Sequence, residues 1–212
     1  SFSGGVKIPT NDANLAKDSL PLPMVYQTSL GTTDVLLGAK YTFKKWDFTF
    51  GYQHSINSNK NEYQYRPTSK DSSIYNSYFE SNMLSRSDDA IFRINRTFIR
   101  KKLNASAWLL FIYHIKNDSY INKTGERQTM NGSDGLTLNL NFALAAPLSK
   151  KMDLILIYAS PVVTRKVRPD GLTRKLLFKL AWSIIYFKMK NIIKQKRLLD
   201  LREAFLFKLV LS

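Results

Sequence analysis

The chain has two histidines, His54 and His114, and no cysteine. The chemistry open to it is therefore narrow. His114 falls on the polar side of an alternating run at 103–115, with Ser106 and Ser119 near it in sequence. A serine beside a histidine can supply the nucleophile and base of a hydrolase. No matching third group to orient the imidazole accompanies them. His54 is expected at the outer end of its strand, at an interface. Without thiols there can be no disulfides or thiolate metal sites, and two isolated histidines do not make a metal site. No catalytic residue, metal ligand or cofactor is expected, and the chain is not read as an enzyme.

Other side chains point to binding or passage. Lys40, Arg93, Lys175 and Lys179, together with His114, take the polar positions of alternating runs. Lining a pore, they would favour anionic solutes; the plainer reading is charge that is solvated or paired across the interior. Tyr63, Tyr65, Tyr75, Tyr78 and Phe79 crowd one long polar segment. They could stack on sugars or fold inward as a constriction, or simply belong to a structured surface loop.

What positions these residues is strict alternation. In "TFKKWDFTFGYQ", Trp46, Phe48, Phe50 and Tyr52 oppose Asp47, Thr49, Gly51 and Gln53. A period of two is the signature of a strand. The pattern predicts strands at 2–8, 34–43, 46–55, 90–99, 103–115, 136–144, 152–163 and 172–187. Lys44-Lys45, Lys101-Lys102 and Lys150-Lys151 each read as a two-residue hairpin connection. The segments 9–33, 57–88 and 116–134 are long and rich in Asn, Ser, Asp and Gly, and 166–171 is a shorter one. They read as loops. Short and long connections therefore fall at opposite ends of one sheet.

An apolar face can look toward a dry core or toward lipid. Strands of ten to fifteen residues are longer than the usual globular strand and suit a tilted bilayer crossing. Polarised connection lengths point the same way. So do aromatic residues toward the strand ends (Tyr41, Trp46, Tyr52, Tyr113, Trp182 and Tyr186), where a girdle would meet the lipid–water boundary. Arg96 and Arg174 fall on the lipid-facing parity, where a midplane arginine would cost about 2–4 kcal/mol. The expected fold is an all-β, antiparallel, up-and-down transmembrane barrel with about eight strands in 1–187. The chain opens inside a strand pattern, at "SFSGG", so further strands upstream are expected.

The formal charge is +16, of which 188–212 holds +5 (7 basic, 2 acidic). No dense basic patch precedes that tail, so nucleic acid is not an expected partner. A soluble basic β-protein that binds nucleic acid is a minor reading, and would show salt-sensitive retention. The tail spaces Ile192, Ile193, Leu198, Leu199, Leu201, Phe205 and Leu209 loosely as a helix on a basic background. It could lie on an anionic membrane surface, or be a read-through end with no selected role.

The segments "GGVKIPT", "TTDVLLGAKYTFKKWDFTFGYQHSINSNKNEY", "DGLTLNLNFALAAPLSKKMDL" and "SPVVTRKVRPDGLTR" resemble outer-membrane barrels of Gram-negative, Bacteroidota-type bacteria. They are similar to the MetA-like family found with aromatic-degradation pathways. The terminal "SIIYF" resembles the C-terminal strand signature of such barrels, with Phe187 last. The resemblance implies an outer-membrane location and a passive path for small molecules. It implies outer-membrane lipid and lipopolysaccharide as surroundings, and the barrel-assembly machinery as a partner of the C-terminal strand. It supplies no catalytic residues, and the tail departs from it. The competing expectation is a barrel that serves as an anchor or adhesion scaffold through its loops.

Overall fold

The computed structural model describes residues 1–64, 78–100, 103–149, 152–170 and 176–184. The main strands are β1 (Phe2–Lys7), β4 (Asp34–Phe43), β5 (Trp46–Ser55), β6 (Asp89–Arg100), β7 (Leu103–His114), β10 (Gly135–Pro147), β11 (Met152–Val163) and β12 (Leu177–Ile184). The loops between them hold two small hairpins, β2 (Ala16–Lys17) with β3 (Leu20–Pro21) and β8 (Ser119–Ile121) with β9 (Arg127–Thr129). The main strands form an eight-stranded antiparallel sheet in the order β1-β4-β5-β6-β7-β10-β11-β12. Each strand pairs with its neighbours along the chain, as an up-and-down meander requires. β1 and β12 lie at the two ends of that order, and no pairing between them closes the sheet among the described residues. Among the described residues no helix is long and apolar enough to cross a membrane. The helical reading of 188–212 lies outside the described residues.

The faces of the sheet are inverted relative to a soluble protein. Apolar side chains are exposed: Phe50 at 54%, Leu37 at 56%, Phe178 at 61% and Leu180 at 54%. Polar ones on the opposite parity are buried, with Asn141 at 0%, Asn95 at 1%, Ser106 at 2% and Gln53 at 3%. Register makes this systematic. Phe50, Phe92 and Phe111 are partners across β5, β6 and β7 on the exposed face, with ring centres 4.6 Å and 6.0 Å apart. On the buried face the corresponding row runs Asp47, Asn95, Trp108, Asn141 and Ala159. The buried face is itself uneven. Over β4–β7 it is largely polar, whereas over β10–β12 it carries Ala143, Ala145, Ile155, Ile157, Ala159 and Leu177.

Lys44 and Lys45 join β4 to β5 in two residues, with Lys44 at φ 55°. The β10–β11 connection is longer than the expected pair. Leu148 and Ser149, beyond the end of β10, both donate backbone N–H bonds to the Met152 carbonyl, and Lys150-Lys151 lie outside the described residues. A register shift at Leu138/Asn139 puts a bulge between these two strands, which bends and twists them locally.

The long connections form a folded layer over one end of the sheet. Its apolar centre is Ala13, Met24, Leu84 and Leu30. Asn61 is fully buried and joins three segments. Its Nδ2 donates to the carbonyls of Ala13 (2.8 Å) and Leu22 (3.0 Å), and its Oδ1 accepts from Tyr63 N (3.0 Å) and Ser81 Oγ (2.6 Å). Gly31 leads into β4 at φ +69°, where a Cβ would meet the Asp12 carbonyl oxygen at 2.6 Å. Only glycine suits that close, left-handed position.

Candidate functional site

The buried face of β4–β7 is a ladder of polar groups. Asp47, second in β5, accepts from Thr42 Oγ1 at 2.8 Å and Asn95 Nδ2 at 2.9 Å, and Lys40 Nζ lies 3.9 Å away. One row up, the Arg93 guanidinium stands 5.0 Å from the Trp108 ring centre, a cation–π distance. Asn95 Oδ1, Ser106 Oγ and Asn141 Oδ1 are buried with no hydrogen-bond partner in the described protein. In a dry interior each would cost about 1–3 kcal/mol.

Above the ladder, at the end of the sheet beneath the loops, charges converge. Lys7, last in β1, pairs with Asp34, first in β4, and Gln53 Nε2 donates to the same carboxylate at 2.5 Å. Arg86 precedes β6 and reaches Asp89 at 2.9 Å and Asp170 at 3.1 Å. Asp170 follows β11 and also meets Arg165 at 3.2 Å. His114, last in β7, is fully buried, with Nδ1 2.6 Å from Asp89 and Nε2 2.7 Å from Asp118. A carboxylate oxygen can only accept, so both ring nitrogens donate. Three cations, Arg86, Arg165 and His114, thus meet three carboxylates, Asp89, Asp118 and Asp170, in one connected network, and the Lys7–Asp34 pair beside it acts on Arg86 electrostatically. Backbone bonds tie it to the loops. Asp118 accepts from Ser87 N at 3.0 Å, its own N–H donates to Ser133 Oγ at 2.7 Å, and Arg165 donates to the Ser133 carbonyl at 2.5 Å.

The electrostatics are mutually reinforcing. Burial alone would lower the Arg86 pKa, but the carboxylates of Asp170, Asp89, Asp118 and Asp34 outweigh it and raise it. Burial alone would raise the Asp170 pKa. Arg86, Arg165, Arg168 and His114 instead hold it well below the carboxylate range. At the loop end of the exposed face, Asp88 accepts from Tyr52 at 2.5 Å and meets His54 Nδ1 at 2.7 Å. Those two bonds overcome partial burial and lower its pKa.

The residues singled out from sequence fall in several places. Lys40 and Arg93 share the ladder, and His114 sits in the charge network rather than beside Ser106. Lys179 is on the same face, opposite Ile157, but exposed on the last strand. Tyr63 is buried in the loop layer, and Tyr78 bonds Tyr26 through their hydroxyls at 2.7 Å. Both belong to the folded loop layer, where Tyr78 stays partly exposed beside Tyr26 and Phe79. Tyr41 and Trp46 flank Phe48 near the short turn, at 6.4 Å ring separations. Tyr52 and Tyr113 sit on either side of Ala90, one level apart from His54. Arg96 is exposed on the apolar face, as parity required; it is the eighth of twelve residues in β6 and pairs with Trp46, the first residue of β5 after the Lys44-Lys45 turn. Lys175, Arg174, Tyr65, Tyr75, Tyr186 and the side chain of Trp182 lie outside the described residues.

Sequence reasoning missed Asp34, Arg86, Asp89, Asp118, Arg165 and Asp170. Their signal was position: Asp34 and Asp89 open strands on the polar parity, and "VTRKVRPDG" is a charged segment directly after one. Among the described residues no group of three or more His, Cys, Asp or Glu side chains is arranged so that it could hold a metal ion. No family model matches the chain, and no curated protein matches it.

Proposed function

We propose that this chain is the wall of an outer-membrane β-barrel that gives small molecules a narrow, polar, passive path. The observation that carries the reading is the inverted burial, with Phe50 54% exposed and Asn141 0% exposed on opposite faces of one sheet. Water on both sides of the sheet would leave that apolar belt unexplained. Hydrocarbon outside and a hydrated interior account for both faces, because lipid must meet apolar side chains and cannot satisfy backbone amides. The buried acceptors of Asn95, Ser106 and Asn141 fit a hydrated lining. Curling of the sheet is supported by the charge network, in which Arg86 before β6 touches Asp170 beyond β11 and acts electrostatically on Asp34 at the start of β4. The resemblance of "DGLTLNLNFALAAPLSKKMDL" and "SPVVTRKVRPDGLTR" to outer-membrane barrels, and the short-turn and long-loop ends, support the bacterial outer membrane as the location.

On this reading the charge network is a constriction at the loop end. Small polar solutes pass the ladder when the network yields. A second reading, an anchor that displays the loop layer, is favoured by the filled interior: Trp108, Leu110 and Arg93 are all at or below 5% exposure. Narrow barrels of about eight strands are filled by side chains in this way.

Planar-bilayer recording separates the two. The channel reading expects discrete conductance steps that grow when Arg86→Ala and Asp170→Ala are combined. Inserted, heat-modifiable protein that stays electrically silent in both forms would leave the anchor as the function.

A further inference from the structure

We propose that the β4–β5–β6 corner at the short-turn end is a binding site for the phosphate headgroup of an anionic phospholipid. This rests on the membrane reading. Lys44 and Lys45 form the turn, and both are exposed. Arg96 pairs in register with Trp46, and Thr97 N donates to the Lys45 carbonyl at 2.9 Å, so the three cations share one corner. The Arg96 guanidinium stands 4.8 Å from the Trp46 ring centre and 5.1 Å from that of Phe98. Lys44 Nζ stands 5.3 Å from the Phe43 ring centre.

The acid nearest this corner does not compete. Asp47 turns to the opposite face, where Thr42, Asn95 and Lys40 hold it. None of Lys44, Lys45 and Arg96 forms an ion pair among the described residues. The corner therefore pairs a carboxylate-free cationic edge with aromatic rings at the margin of the exposed apolar face. An aromatic ring at that margin sits at headgroup depth, and a guanidinium held beside it can offer two parallel N–H donors to a phosphate. The chemistry fits a phosphodiester whose acyl chains lie along Phe48 and Phe50.

The test uses the Trp182→Phe protein folded into phosphatidylcholine vesicles doped with a minor fraction of acyl-brominated phosphatidylglycerol or of acyl-brominated phosphatidylcholine. Trp108 is buried in the interior, so quenching reports Trp46. One cation at an anionic surface is worth about fivefold in lipid enrichment, so the brominated glycerol lipid should win over the choline lipid by at least about fivefold. The preference should vanish in Lys44→Gln/Lys45→Gln/Arg96→Gln, whose side chains are exposed and whose folding heat-modifiable migration verifies. Equal quenching by the two lipids would overturn the headgroup site while leaving the membrane reading in place. Quenching by neither would overturn both.

Discussion

Asp170 is held between Arg86 at 3.1 Å and Arg165 at 3.2 Å, and its worth can be read from acid. Its pKa in the folded chain is depressed, so the stabilisation it brings is fully present above the ordinary value of about 4. It is lost as pH falls through that value toward the folded one. The part of the urea midpoint that depends on Asp170 should stay level from neutral pH to about 5 and fall below about 4. Asp170→Asn should remove that acid-dependent part and cost about 3 kcal/mol or more at neutral pH, because it strands buried arginines. A midpoint indifferent to both changes would show that the network does not hold the loops. At this scale the sequence was only partly legible. His114 could be placed on the polar face by parity alone, but its partners could not. Asp89 faces it only through the β6–β7 register, and Asp118 reaches it by a loop bend. Ion pairs across a fold depend on which strands are neighbours and on where loops return, and neither has a local pattern.

Strands were the most legible objects, because a sheet with unlike faces imposes its period on the chain. β4, β5 and β11 begin and end as alternation placed them. β12 begins later than expected, at Leu177. The small hairpins β2–β3 and β8–β9 went unseen, since two or three residues cannot display a period. Alternation is weakest in β11, where Ile155, Ile157 and Ala159 on the buried face oppose Leu154, Leu156 and Tyr158 on the exposed one. The inverted faces make a sharp prediction. Phe50→Arg puts a charge on the middle of the exposed belt. Vesicle-folded protein should lose about 2–4 kcal/mol in a urea titration if that belt meets lipid. If it met water instead, the substitution would be neutral or stabilising. Thr49→Val, on the other parity, should change the same titration little.

The molecule as a whole has two tiers, a sheet and a knitted loop layer, and their stabilities should separate. Asn61→Ala takes the shared partner from the Ala13 carbonyl, the Tyr63 amide and the Ser81 hydroxyl, while the Leu22 carbonyl keeps its bond from Gln27 Nε2. At about 1–3 kcal/mol for each buried group left unpaired, the layer should open while the sheet persists. Limited proteolysis should then cut within the layer, and a heat-modifiable, protease-resistant remainder should survive. Loss of the remainder as well would mean that the two tiers fold as one. The weave also bears on how this surface can be recognised from outside. Lys60 N bonds the Asp12 carbonyl, Ser85 and Ser119 bond each other, and Val167 N bonds the Gly132 carbonyl. Where these bonds cross, the surface is assembled from stretches far apart in the chain. An antibody raised against the native face would bind a discontinuous epitope, and would fail against boiled protein or synthetic loop peptides.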